Sequence, residues 1–313
     1  MKTLFLKCIG LAISSRVKFL VGAFVIFLGL SVAQASQAST GTVILAKGFV
    51  TATNATQQSR VLAKGGGIEE GDVVNTANKS FAVIRMLDNT KLTLKPNTTI
   101  AIGAFNIKEG EEEGCINLVK GGLRTVTGLI GQRKPESFNV DTPIASIGIR
   151  GTDFITRICA GEECLEDENS LSFGGTDQNS QAAAVAEDIN KNLPEGLYGS
   201  CETGSIIMSQ CAGQADDFEL GKCRIPQPTI CTQVELDRGS AGYSSAPIIA
   251  SNGQPTNSQA AVSTKVTALP RVPIMLEKDP YFALSDLTDS ELEQVDRFPD
   301  NFSPEGQCSI VGG

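Results

Sequence analysis

The residues of this chain best placed to do chemistry stand in one run, D-T-P-I-A-S-I-G-I-R-G-T-D-F, Asp141–Phe154. It sets two carboxylates, Asp141 and Asp153, near one guanidinium, Arg150, with Thr142, Pro143, Gly148, Gly151, Thr152 and Phe154 between and beside them. Carboxylates can act as acid and base in glycan hydrolysis. A guanidinium can hold a partner's carboxylate. A third reading is structural, with Arg150 and Asp153 paired to pin a corner of the chain. Spacing singles out no carboxylate pair. The chain has no histidine, which removes the usual Ser-His-Asp and Cys-His nucleophiles and most catalytic zinc sites. The expectation is no catalytic, cofactor-binding or metal-binding residue, and a run that is structural first, with a binding role for Arg150 left open.

The second chemically marked set is the cysteines, nine in all. Cys8 lies in an N-terminal apolar region. The others, Cys115, Cys159, Cys164, Cys201, Cys211, Cys223, Cys231 and Cys308, are an even set that suits disulfides in an oxidising compartment. Metal binding is the alternative, but no C-x-x-C pair is present. The N-terminus agrees with export. Lys2, Lys7, Arg16 and Lys18 precede the apolar stretch Phe19–Val32, and Ala33-Gln34-Ala35 follows as a small-x-small cleavage site. This is the layout of a signal peptide over residues 1–35. An uncleaved anchor is the rival, and only then would the chain touch a membrane. A net charge of −9 without a basic stripe argues against a nucleic-acid partner.

The elements that must position these residues read as strands. Gly41–Thr53 alternates apolar and polar positions. In Ser80–Leu87, Phe81, Val83, Arg85 and Leu87 point one way and Ala82, Ile84 and Met86 the other. Asp88-Asn89-Thr90 is a tight turn to the return strand Lys91–Leu94, and Lys95-Pro96-Asn97 turns into Thr98–Ala104. Gly65-Gly66-Gly67 is a turn, since no Gly-Lys-Ser/Thr follows. Lys108–Gly114 is an acidic loop without the spaced ligands of a calcium site. Cys115–Val119 and Gly122–Ile130 are strands, and Gly131–Pro135 is a basic turn. Pro143 breaks the ladder, and Gly148 and Gly151 turn the chain. Segments this short and closely spaced specify an all-β fold of stacked antiparallel strands and hairpins.

The run T-P-I-A-S-I-G-I-R-G-T-D-F resembles the closing motif of the FecR domain. Upstream, E-G-D-V-V-N-T, S-F-A-V-I-R-M-L-D-N-T-K-L-T-L-K-P-N-T-T-I and L-V-K-G-G-L-R-T follow the order of that family's motifs. The resemblance covers about Gly41–Ile158. Gly204-Ser205-Ile206-Ile207 and Phe218–Lys222 resemble its later strands, beyond a loop-like insertion at about Ala160–Ser200 with a short helix near Gln181–Lys191. The resemblance implies a β-roll or β-sandwich-like FecR module. In the family's namesake this module is the periplasmic half of an iron-uptake regulator that relays a signal to a sigma factor. Here only about eighteen residues precede the apolar stretch and tryptophan is absent, unlike the namesake's anti-sigma arm.

The expected organisation is a signal peptide (1–35), a FecR-like β-domain (41–158), an insertion and cysteine-rich continuation (159–238), a flexible linker (239–268) and an irregular tail (269–313). Ser285–Val295 is the tail's best short helix, with Leu287, Leu292 and Val295 on one side and a solvated acidic face. The function expected is a non-enzymatic exported module in the periplasm or at the cell surface, binding an envelope protein or a glycan. The alternatives are a sensor arm signalling to a sigma factor and a carboxylate-dependent glycan-active enzyme.

Overall fold

The structure is a computed structural model that describes residues 39–160, 193–211, 213–224, 231–245, 266–277 and 279–297. The expected signal segment, the helix near Gln181–Lys191, Cys164 and Cys308 lie outside these residues. No helix among the described residues is long and apolar enough to cross a membrane.

The chain is all-β. β1 (Gly41–Lys47), β2 (Val50–Thr53), β3 (Ser59–Val61), β4 (Gly67–Ile68), β5 (Val73–Thr76), β6 (Phe81–Met86), β7 (Lys91–Leu94), β8 (Thr99–Asn106), β9 (Glu113–Lys120) and β10 (Gly122–Val126) come first. A short helix, α1 (Leu129–Arg133), and a 3-10 turn (Pro135–Ser137) lead into β11 (Phe138–Asp141) and β12 (Ser146–Cys159). β13 (Gly196–Cys211), β14 (Cys231–Asp237), β15 (Ser240–Ser245) and β16 (Val266–Leu269) follow. One helical turn, α2 (Ile274–Glu277), a 3-10 turn (Phe282–Asp286) and α3 (Asp289–Arg297) end the described chain.

The strands form one curled sheet in the order β3-β2-β5-β8-β9-β11-β12-β10-β7-β6-β1-β4, with β13 carrying β14 and β15 off β12, and β16 off β15. Consecutive strands β9 and β10 do not pair. β11 and β12 are inserted between them, β11 parallel to β9 and antiparallel to β12. A parallel pair needs a crossover, and here β10, α1 and the 3-10 turn supply it. That crossover lays α1 over the sheet.

Alternation decides what each strand buries. Ala82, Ile84 and Met86 of β6 join the main core with Val43, Ile100, Ile116, Phe138, Ile147 and Phe154. Phe81 and Val83, on the opposite face, pack with Leu45 under Leu284, Leu292 and Val295 of the C-terminal segment. A third cluster joins Ile155 and Tyr198 to Met275, Leu276 and Phe282. Thus β6 is buried on both faces, which explains its nearly continuous apolar run.

The disulfide Cys115–Cys223 ties β9 to the segment after β13, and Cys211–Cys231 joins the facing ends of β13 and β14. Cys159 is disulfide-bonded too. Cys201, expected in a bridge, is instead a buried free thiol. It sits within β13 between β12 and β15, where no second cysteine among the described residues reaches it. Burial, with Glu202 nearby, pushes its pKa up to about 11.

Other expectations change with physical cause. Gly131–Pro135 is not a turn, because α1 occupies most of it. β10 ends at Val126, short of the expected Ile130. Phe218–Lys222 is irregular rather than a strand. It docks by side-chain bonds, with the Gly221 N–H donating to Asn117 Oδ1 (2.6 Å) and Asn117 Nδ2 donating to the Lys222 carbonyl (2.8 Å). β15 falls in the expected linker, because its small residues suit tight packing. A Cβ on Gly242 would lie 2.8 Å from Leu236.

Candidate functional site

The Asp141–Phe154 run spans a turn and most of β12, and each of its residues has a distinct job. Asp141 ends β11 and is buried. It accepts hydrogen bonds from the Ser146 hydroxyl and from Gln214 Nε2 (3.1 Å). Burial raises its pKa above the usual carboxylate value, against the lowering pull of Ser146, Arg224 and Gln214. Thr142 closes the turn around Pro143: its hydroxyl accepts from the N–H groups of Ile144 (3.1 Å) and Ala145 (2.9 Å) and donates to the Ala145 carbonyl (2.7 Å). Phe154 is core.

Between Arg150 and Asp153 the register of β12 against β13 shifts, and it shifts back between Asp153 and Phe154. Two residues of β12, Gly151 and Thr152, oppose Gly204, and Glu202 of β13 compensates. This is a bulge on each strand. Gly151 (φ +65°) and Gly204 (φ +78°) both have left-handed backbone, and a Cβ on Gly204 would lie 2.3 Å from the Gly151 carbonyl oxygen. Only glycine fits there. Thr152 ties the bulge sideways, its N–H donating to Thr127 Oγ1 (3.0 Å) while Thr127 Oγ1 donates back to the Thr152 carbonyl (2.8 Å).

The expected Arg150–Asp153 pair does not form. Arg150 is exposed and pairs with Glu235 of β14 at 3.2 Å. Asp153 faces Arg124, two residues from its direct partner Val126 on β10. Arg124 Nε and Nη2 donate to the two Asp153 oxygens at 2.9 and 2.6 Å. The other side of the guanidinium donates to Asp286 (2.9 and 2.7 Å) and to the Phe282 carbonyl (2.9 Å). Burial works against the charge on Arg124, but the two carboxylates outweigh it and hold its pKa above the ordinary value. Its five donors are thereby all engaged. Neither Arg124 nor Asp286 was identifiable as a partner of the run, since they stand 29 and 133 residues from Asp153 in the chain.

Gly148 differs from the glycine expected to turn the chain. It lies in regular register, opposite Asn139 on β11 and Ile207 on β13. A Cβ there would have only Asn139 Oδ1 within 4 Å, at 3.7 Å. Its missing side chain leaves the floor of an open cleft of about 760 Å³. Strands β11 to β14 form the floor, with Asn139, Ser209, Gln233 and the Gly148–Gly151 stretch. Gln132 and Glu136, of α1 and the following 3-10 turn, form the wall.

The wall is held by the β6–β7 turn. Asn89 has φ +68°. Asp88 is fully buried, and its carboxylate accepts from the Thr90 N–H and hydroxyl (both 2.8 Å) and from the Ile130 N–H (3.3 Å). The Asp88 carbonyl also accepts from the Leu129 N–H at 2.8 Å. Because Gly128 has no side chain to cap α1, the turn serves as a remote cap. The sequence shows the turn but not this second use.

A second cleft of about 470 Å³ adjoins the first, sharing Glu136 and Asn139, and is lined also by Glu111, Glu112 and Glu113 at the start of β9. Among the described residues no cluster of His, Cys, Asp or Glu is set to hold a metal ion.

Residues 72–166 match the family model described as FecR protein. The match contains both α1 and the β12 bulge. No curated protein matches the chain. Two crystal structures of a "putative anti-sigma factor from Parabacteroides distasonis ATCC 8503", at 2.50 and 1.65 Å resolution, are similar at 10% identity with a TM-score of 0.33. The similarity covers 64% of this chain and spans 61% of each of those chains.

Proposed function

We propose that this chain, whose residues 72–166 form a FecR domain, is an exported, non-enzymatic module that binds a protein partner through the cleft above the β12 bulge. The observation that carries the reading is Gly148: the family-matched segment keeps a strand position without a side chain where the fold has room for one, and that vacancy opens the cleft. Amide and hydroxyl groups from Gln132, Asn139, Ser209 and Gln233 line it, with Glu136 and Arg150 of opposite charge. Such a lining suits the backbone and polar side chains of a protein segment. The disulfides and the signal-like N-terminus support export.

The test is capture of partners from an envelope extract by the wild-type chain and by Gly148→Leu, which fills the cleft without a backbone clash. The expected result is loss of the captured protein with little change in melting temperature. An identical captured set with both chains sinks the reading, and capture of glycan alone replaces the partner class. The rival, a tethered sensor arm, is separated by the mass of the exported chain: an N-terminus at Ser36 removes it.

A further inference from the structure

Away from the cleft, five neighbouring strands present one cation each to the C-terminal segment: Arg157 on β12, Arg124 on β10, Lys91 on β7, Arg85 on β6 and Lys47 on β1. The row spans about 19 Å, from a strand spacing of about 4.8 Å. Arg85 and Lys91 are direct cross-strand partners, an arrangement that repels unless an anion lies over it. Apolar Leu45, Phe81 and Val83 lie on the same face.

Arg157 donates to the Met275 carbonyl (3.4 Å), and residues 279–297 lie over the other four cations of the row. Asp279 pairs with Lys95 at 3.1 Å, both buried. Asp286 takes Arg124, Asp289 takes Arg85, and Asp296 takes Lys47 (3.6 Å) and Lys64 (3.9 Å). Lys91 Nζ donates to the carbonyls of Ser285 (2.9 Å) and Leu287 (3.1 Å). Leu284, Leu292 and Val295 fill the apolar part. The attachment differs in kind from that of the strands. Among the described residues, 270–297 contribute no strand and no backbone-to-backbone hydrogen bond to the sheet. Side chains of the sheet hold the segment by its backbone carbonyls, its aspartates and its apolar side chains, many of them in charge pairs that salt weakens.

We propose that this cationic and apolar face is a docking surface for an acidic amphipathic segment of a partner protein, and that residues 279–297 are a built-in competitor that covers it. The occupant's chemistry is set by charge complementarity: carboxylates spaced to meet a row of one cation per strand, with aliphatic side chains between them. A partner would have to displace the resident segment, so its apparent affinity falls with the fraction of chains that are open. The face shares no residue with the cleft lining, so failure here leaves the cleft reading untouched, and the reverse.

The probe is a labelled peptide with the sequence of residues 279–297, titrated by fluorescence anisotropy into the full chain. The triple variant Asp286→Asn, Asp289→Asn, Asp296→Asn, with its cover loosened, is expected to bind the peptide about tenfold tighter than wild type. Adding Arg85→Glu and Lys91→Glu to the triple variant should abolish the binding. Equal peptide affinity of wild type and triple variant overturns the proposal. Hydrogen exchange on the wild-type chain gives an arm independent of variant folding. Amides of α3 should exchange by local opening that quickens with salt, while β8 and β9 stay protected. Equal protection of α3 and β8 also overturns it. A wild-type dimer that exchanges its 279–297 segments would assign the face to a second copy instead and overturn the partner.

Discussion

The body of strands and the segment that lies across it are held by different forces. In the body, every strand is laddered to a neighbour, and Val43, Ile84, Phe138 and Phe154 share one core. The segment at 279–297 has no ladder. It rests on two smaller apolar clusters and on aspartates that meet cations. A ladder and a common core make opening cooperative, because no strand can leave without exposing the rest. Side-chain attachment allows one element to open alone. The difference teaches that one chain can combine a rigid scaffold with a detachable cover, and it can be tested from both sides.

The largest effect is expected in the body. Phe138 is fully buried, and Phe138→Ala should cost about 3–5 kcal/mol, read as a lower urea midpoint for the whole molecule. An unchanged midpoint would deny that the body is one unit. The disulfides come next, at roughly 2–4 kcal/mol each. Replacing Cys115 and Cys223 by Ala should destabilise more than replacing Cys211 and Cys231, because the first bridge closes a sequence separation of 108 and the second only 20. Equal losses would contradict the loop-length argument.

Phe282→Ala probes the cover. The side chain is buried against Ile155 and Tyr198, yet its loss should appear first as local opening. Amides of 279–297 are expected to exchange about a hundredfold faster, the equivalent of about 2.7 kcal/mol, with β8 and β9 unaffected. Equal acceleration everywhere would merge the two regions into one.

Acid should act on the two regions with opposite sign, and these effects are the smallest. Arg85 lowers the pKa of Asp289, so the stability that Asp289 gives the cover is present above the unfolded carboxylate value, about 3.9, and is lost as pH falls through the lower folded value. Burial raises the pKa of Asp141. Its contribution is therefore present below the unfolded value and is lost as pH rises through the folded one. Asp141→Asn keeps an oxygen for Ser146 and Gln214, so its melting temperature relative to wild type should rise from pH 4 to pH 7. A falling difference would reverse the sign assigned to Asp141.

The β6 pattern shows how much of the fold was legible. Its alternation separated Ala82, Ile84 and Met86 from Phe81, Val83 and Arg85, and the structure buries the first set in the main core. The pattern did not reveal that the second set is covered as well, because periodicity defines two faces without naming what packs on them. The same holds for the candidate site. Pro143, Gly151 and Asp153 marked a break and a corner, since proline and glycine act on their own backbone. Gly148 looked like another turn, and only its neighbours across the sheet make it the floor of a cleft.

The sequence by itself determined the all-β class, the hairpin turns, the FecR resemblance and the preference for disulfides. Each rests on local backbone chemistry or on composition. Tertiary structure decided the partners: Arg124 rather than Arg150 for Asp153, a free thiol at Cys201, a strand within the expected linker, and cations for Asp289 and Asp296 of a terminal helix whose Glu291 and Glu293 stay exposed. These depend on which distant strands become neighbours, and β11 and β12 entering between β9 and β10 is a choice of topology that no local pattern encodes.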